Sequence, residues 1–155
     1  MAHVEKDIEV EAPISTVYNQ WTQFESFPQF MEGVQEVRQL SDTALHWVAE
    51  IGGHTVEWDS TINRQEPDRC IAWRSSSGAT NAGEVRFEEL GPDRTRVLLR
   101  AEYEPQGLTE KAGAAIGVVS MRISGDLQRF KKFIEGRQRE TGAWRGEIHG
   151  GHVTR

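Results

Sequence analysis

In GGHTVEWDSTINRQEPDRCIAWRS, residues 52–75, the pair Gly52-Gly53 is a two-residue hairpin signal and Glu66-Pro67-Asp68 is a second turn. Between them, Val56, Trp58 and Ile62 fall on one side of an extended segment, with Thr55, Glu57, Asp59 and Asn63 on the other. A period of two bounded by turn residues is the signature of an antiparallel strand with one buried face. The next strand repeats it, with Ile71 and Trp73 opposed to Arg74.

The same punctuation continues in both directions. Ser41-Asp42 separates a strand at 34–40 from one at 45–51, Ser77-Gly78-Ala79 turns into 81–89, and Gly91-Pro92-Asp93 turns into 95–103. Val85 and Phe87 oppose Glu84, Arg86 and Glu88; Val97, Leu99, Ala101 and Tyr103 oppose Arg96, Arg100 and Glu102. At the N-terminus Val4, Ile8 and Val10 oppose Glu5, Asp7 and Glu9, which adds a first strand. The pattern predicts a seven-stranded antiparallel sheet that is apolar on one face and charged on the other.

Helical signals lie on either side of the meander. Pro13 and Ser15 open a short helix through Val17, Tyr18 and Trp21, and a second short piece follows with Phe24, Phe27, Phe30 and Met31. The C-terminal part repeats apolar residues three and four apart: Leu108, Ala112, Ala115, Ile116, Val119, Ile123, Leu127, Phe130 and Ile134. That spacing predicts one amphipathic helix over 108–139, up to about 46 Å long. The expected class is therefore α+β, with one domain over 1–139. Residues 140–155 are glycine-rich and are expected to form a mobile tail.

Composition narrows the function classes. The chain has 155 residues, enough for one core, and a formal net charge of −6 that argues against a general nucleic-acid binder. Residues 1–118 carry a net −10 and residues 119–155 a net +4. The basic end reads as a solvated helix face complementing the helix dipole, or as a surface for transient membrane or protein contact. One cysteine, Cys70, gives neither an internal disulfide nor a metal cage, and the expected compartment is the cytoplasm. His46, His54, His149 and His152 lack the spacing of a dedicated metal site, so neither a metal nor a cofactor is expected.

Strand, two short helices, six-strand meander and long C-terminal helix together resemble the helix-grip fold of the START-like (SRPBCC) superfamily. The stretches Val10-Glu11-Ala12-Pro13, Trp21 with Phe24-Glu25-Ser26-Phe27-Pro28-Gln29-Phe30-Met31, Ile71-Ala72-Trp73 and Asp126-Leu127 with Arg129-Phe130-Lys131 are similar to its polyketide cyclase/dehydrase and coenzyme Q-binding START-like branch. The resemblance implies a cavity between the sheet and the long helix, closed by the two short helices. It also implies a hydrophobic small-molecule ligand: a lipid, a quinone or a polyketide-like compound.

The candidate ligand-pocket residues are Phe27, Phe30, Trp58, Ile62, Trp73, Ser75, Val85, Phe87, Leu99, Tyr103, Ile116 and Val119. Trp58 and Trp73 share a face on adjacent strands and are suited to stacking, although the same rings equally suit a plain aromatic core. Ser60 and Ser75 are inward hydroxyls that orient a ligand or bond to nearby backbone. Glu57 and Asp59 are spaced like a catalytic pair, but a spacing of two puts both on the charged face. No catalytic residue is assigned, and a non-catalytic binder is preferred to a polyketide aromatase/cyclase or dehydrase acting in the same cavity. Oligomeric state is not legible. The Phe27-to-Met31 segment is expected to gate ligand entry.

Overall fold

The computed structural model describes the backbone of residues 2–51, 53–78, 81–103 and 112–154. The side chains of Tyr103, Ile116 and Val119 and the expected helix start at 108–111 lie outside the described residues.

The chain begins with β1 (Ala2–Val10), α1 (Ile14–Trp21) and a 3₁₀ segment (Phe24–Gln29). The meander follows as β2 (Val34–Gln39), β3 (Ala44–Ile51), β4 (His54–Glu66), β5 (Cys70–Gly78), β6 (Asn81–Gly91) and β7 (Arg94–Tyr103). Then come α2 (Ala112–Arg137), β8 (Glu147–His149) and β9 (His152–Thr154). The sheet runs β1-β7-β6-β5-β4-β3-β2, so the first strand closes on the last strand of the meander. Each pairing is antiparallel, as short turns between successive strands require.

The nine strands among the described residues exceed the expected seven, and the reason is one of length. β4 has 13 residues and β3 only eight, so β3 pairs with His54 to Thr61 and leaves the end of β4 uncovered. β8 takes that place, pairing His149 with Arg64 and Ile148 with Gln65. Gly150 and Gly151, with φ of 59° and 80°, turn β8 into β9. Strands of three residues carry too little alternation to be read from sequence.

A register shift between Ile62 and Arg64 takes Asn63 out of the β4 ladder, where its carbonyl accepts from the Gly151 N–H at 3.1 Å. A one-residue bulge inverts the phase of everything after it. Gln65 consequently faces the core and is 1% exposed.

The core fills the end of the fold where α1, the 3₁₀ segment and the C-terminal half of α2 meet the sheet. Trp21 is its hub, with ring centroids 5.4 Å from Phe27, 6.3 Å from Phe30, 6.5 Å from Phe87 and 5.2 Å from Phe130. From α2, Leu127, Phe130 and Ile134 are buried, in the predicted three-and-four spacing. The helix is fastened along β1 by Lys131 Nζ, which donates to the Glu9 carbonyl at 2.9 Å. Asp126 Oδ1 accepts from the Glu32 N–H at 3.0 Å, and Arg129 Nε donates to the Phe30 carbonyl at 3.0 Å. Among the described residues, no helix is long and apolar enough to cross a membrane.

The residues after Glu140, expected to be a mobile tail, are bonded into this end. Gln20, fully buried, donates from Nε2 to Thr141 Oγ1 at 3.1 Å and accepts from the Thr141 N–H at 2.9 Å. The Trp144 N–H donates to Thr22 Oγ1 at 3.1 Å. Arg145 donates to Asn19 Oδ1 at 2.7 Å, pairs with Asp68 at 3.0 Å and lies over the Tyr18 ring. A glycine-rich composition concealed these contacts because their partners lie far away in sequence, on α1, at Thr22 just after it and at Asp68 between β4 and β5.

Candidate functional site

The inward face of the sheet changes character along its strands. Toward α1 it is sealed. Toward the β3–β4 and β5–β6 connections it presents three tryptophans, one each from β3, β4 and β5. Strand alternation turns all three inward, and antiparallel register brings them together. Trp47 pairs directly with Trp58, their rings stacked at 5.7 Å and 9°. Trp73 completes the group, 6.5 Å from Trp47 at 26°. Trp47 is buried, whereas Trp58 and Trp73 are half-buried and border the core.

The polar groups of this wall are few. Trp47 Nε1 donates to Ser60 Oγ at 2.8 Å, and Ser75 Oγ accepts from the Asn81 N–H at 3.0 Å. Both hydroxyls therefore bond within the sheet. Trp58 Nε1 is a buried indole donor with no hydrogen-bond acceptor. Among the described side chains, Ser60, Ile62, Ser75, Asn81, Gly83, Val85, Leu99 and Ala101 hold inward positions around the rings, and none of these is ionisable.

The predicted residues divide into two groups. Trp58, Trp73 and Ser75 stand together at the more open part of the face, whereas Leu99 belongs to the buried core with its register partner Val85. Phe27, Phe30, Ile62, Val85 and Phe87 are packed into the core that supports the wall. Phe27 reaches Trp47 at 5.8 Å, Phe30 meets Phe130 at 5.2 Å and Phe87 meets Tyr18 at 5.3 Å. The Phe27-to-Met31 segment, expected to act as a gate, has Phe27 and Phe30 at 1% exposure and is tied to α2 through Arg129 and Asp126.

Two residues were missed. Trp47 is legible in the alternation of Leu45, Trp47 and Ala49, but Val48 on the other face blurs the contrast. Gln65 depends on the bulge at Asn63 and left no sequence signal. Its amide lies beside the Tyr18 hydroxyl, and neither makes a hydrogen bond of normal geometry. Burial pushes the Tyr18 phenol up to about 12, so it stays neutral across the physiological range.

The outer face is polar. A cavity of about 300 Å³ lies over Ala72 and Ala82, walled by Arg64, Arg74, Arg100 and Glu84. A second of about 340 Å³ adjoins it at Ser75 to Gly78. Glu57 and Asp59, whose spacing suggested a catalytic pair, instead hold a histidine on this face. His46 Nδ1 lies 2.6 Å from Asp59 Oδ1, and Nε2 lies 3.2 Å from Glu57 Oε1. The clasp sits directly behind the Trp47–Trp58 stack. Among the described residues no three His, Cys, Asp or Glu side chains are grouped to hold a metal ion. Cys70 is buried, and burial pushes its thiol up, away from the thiolate a nucleophile requires.

The hydrogen bond to Asp59 is the main cause that raises the His46 pKa above 6.5, with Glu57 adding to it and Arg38 on β2 opposing it. The stabilisation from the charged clasp is complete below the unfolded-state value of about 6.5 and disappears as pH rises through the higher folded-state value. An NMR titration of the His46 ring is expected to give a midpoint above 6.5. His46→Gln removes the corresponding slope from the stability–pH curve, and a midpoint at or below 6.5 contradicts the clasp.

Comparison with known proteins follows the same lines. Residues 10–132 match the family model described as polyketide cyclase / dehydrase and lipid transport. An uncharacterized 17.2 kDa protein of Streptomyces lincolnensis is 49% identical over 149 residues, covering 96% of this chain and 99% of the relative. Among solved structures, the Zhui aromatase/cyclase from a Streptomyces species superposes with a TM-score of 0.74 at 21% identity, over 92% of this chain and 99% of that one. A START superfamily protein from Mycobacterium smegmatis gives 0.67 at 20% identity, over 87% and 95%. At these identities the two structures speak for the helix-grip fold.

Proposed function

The chain belongs to the polyketide cyclase / dehydrase and lipid transport family, and on that premise we propose that it is a binding or carrier protein for a hydrophobic small molecule such as a lipid, a quinone or a polyketide-like compound. The observation that carries this is the tryptophan wall: Trp58 and Trp73, on the inward face of the sheet, are only half-buried, and Trp47 backs them. Half-buried indoles offer large apolar area and flat π-faces at little entropic cost. Each Å² of apolar ligand surface removed from water contributes about 25 cal/mol.

Native mass spectrometry of the purified protein, with extraction and identification of what it carries, tests this directly. Trp58→Ala is then expected to leave a folded protein, since Trp58 lies at the border of the core, and to weaken the extracted ligand about tenfold or more. Unchanged affinity in the folded variant would remove Trp58 from the site.

The family description also supports a cyclase or dehydrase acting at the same wall. Such an enzyme needs a hydrogen-bonding or titrating group beside the substrate. Among the described side chains the inward positions around the rings carry no titrating group, which favours binding without turnover. Tyr103, outside the described residues and inward by strand alternation, is the group such an enzyme would use. Turnover of a bound polyketide-like compound, with a pH-dependent rate, would reverse that preference.

A further inference from the structure

Gly83 is the third residue of β6, with Trp73 as its register partner on β5 and Ala101 on β7. Glycine inside a strand weakens it and calls for a reason. The backbone supplies none, because Gly83 is not among the glycines with positive φ and its ladder is regular on both sides. The reason lies on the inward face. A Cβ at position 83 would sit 2.4 Å from Trp73 Cζ2 and 2.6 Å from Cε2, well inside the about 3.5 Å at which carbon atoms make contact. The indole is therefore laid directly on the β6 backbone.

We propose that Gly83 is the specificity-determining residue of the ligand site: it lets Trp73 recline and so sets the depth of the space above the wall. The proposal rests on the binding function given above. A side chain at 83 lifts the ring, and the directions open to it are few. Ile62, the other register neighbour of Trp73, is fully buried, and Trp47 stands 6.5 Å away. The ring must rise into the space that the ligand occupies. With Ala101 and Gly83 both small, the reclined ring forms a flat floor suited to a broad, fused-ring aromatic compound. A raised ring leaves room only for narrower ligands.

Two fluorescent probes separate these states: 1-naphthylamine, with two fused rings, and 1-aminopyrene, with four. In Gly83→Ala, affinity for 1-aminopyrene is expected to fall about tenfold while that for 1-naphthylamine stays within about twofold of the parent protein. Trp73→Leu leaves Gly83 untouched but removes the floor itself, and it is expected to weaken 1-aminopyrene more than 1-naphthylamine. Adding Gly83→Ala to Trp73→Leu changes the probe preference no further, because no ring remains to be lifted.

An aromatic ring over a strand glycine also stabilises a sheet. If that is its whole role, Gly83→Ala lowers the unfolding midpoint and weakens both probes equally, which overturns the proposal. Should Gly83→Ala fail to fold, an unchanged probe preference in Trp73→Leu overturns it just as well. A parent protein that binds both probes while the variants keep its preference defeats this inference alone. A parent protein that binds neither probe and carries no extractable ligand defeats the binding function and this inference with it.

Discussion

Trp21→Ala is expected to lower the unfolding free energy by about 3–5 kcal/mol, the range for truncating a fully buried aromatic residue. The site favours the upper part of that range. Trp21 is 1% exposed and its ring meets rings from the 3₁₀ segment, from β6 and from α2. A cavity there cannot collapse without moving three different elements. Trp21 Nε1 is buried with no hydrogen-bond partner, so Trp21→Phe gives up some packing while removing an unsatisfied donor. Its cost should be clearly smaller than that of the alanine variant. Urea titration decides both, with the alanine variant lowering the midpoint at constant slope. A loss below about 1 kcal/mol for Trp21→Ala would mean that the ring is not the hub of the core.

Ending the chain after Glu140 is expected to have the second largest effect, a loss of at least about 3 kcal/mol. Two terms combine. Ile148 is fully buried, and removing a buried isoleucine side chain alone costs about 2–5 kcal/mol. Gln20, also fully buried, loses both of its contacts to Thr141, and each buried polar atom left without a partner costs about 1–3 kcal/mol. Arg145→Ala should cost much less, since its pair with Asp68 is partly exposed. Thermal or urea unfolding of the shortened chain measures the sum. An unchanged midpoint would show that residues 141–155 contribute nothing to the folded state.

The two outcomes bear differently on the binding site. Trp21 belongs to the core that supports Phe27, and Phe27 in turn supports Trp47. Loss of Trp21 is therefore expected to reach the wall from beneath. The tail acts on α1 and on the end of β4, at the sealed end of the sheet. Ligand affinity in the shortened chain, measured where it is still folded, should change little.

What could be read in the chain was whatever repeats locally. The inward positions of β1, β4, β5, β6 and β7 follow from a period of two, and the buried stripe of α2 follows from spacings of three and four. Each requires only a few consecutive residues. Trp58 and Trp73 were placed on one face in this way, and the structure turns both rings to that face. Trp47 carried the same signal, masked by Val48 on the outer face. The meander order came from turn residues, which act over two or three positions.

The remainder depended on distances that no local pattern encodes. Whether an inward aromatic residue stands at the wall or in the core turns on what α1 and the 3₁₀ segment cover, and this sealed Phe30 and Phe87 while leaving Trp58 and Trp73 half-buried. Gln65 faces inward because one bulge inverted the strand phase. The tail acquired strands because β4 outruns β3. Gly83 looks like a weakness in its own strand until the Trp73 ring from the neighbouring strand is placed on it. The sequence by itself determined which residues share a face, because side-chain direction is a local property of backbone periodicity. Tertiary structure alone decided which of those faces are filled and which remain open, because packing is a relation between residues far apart in the chain.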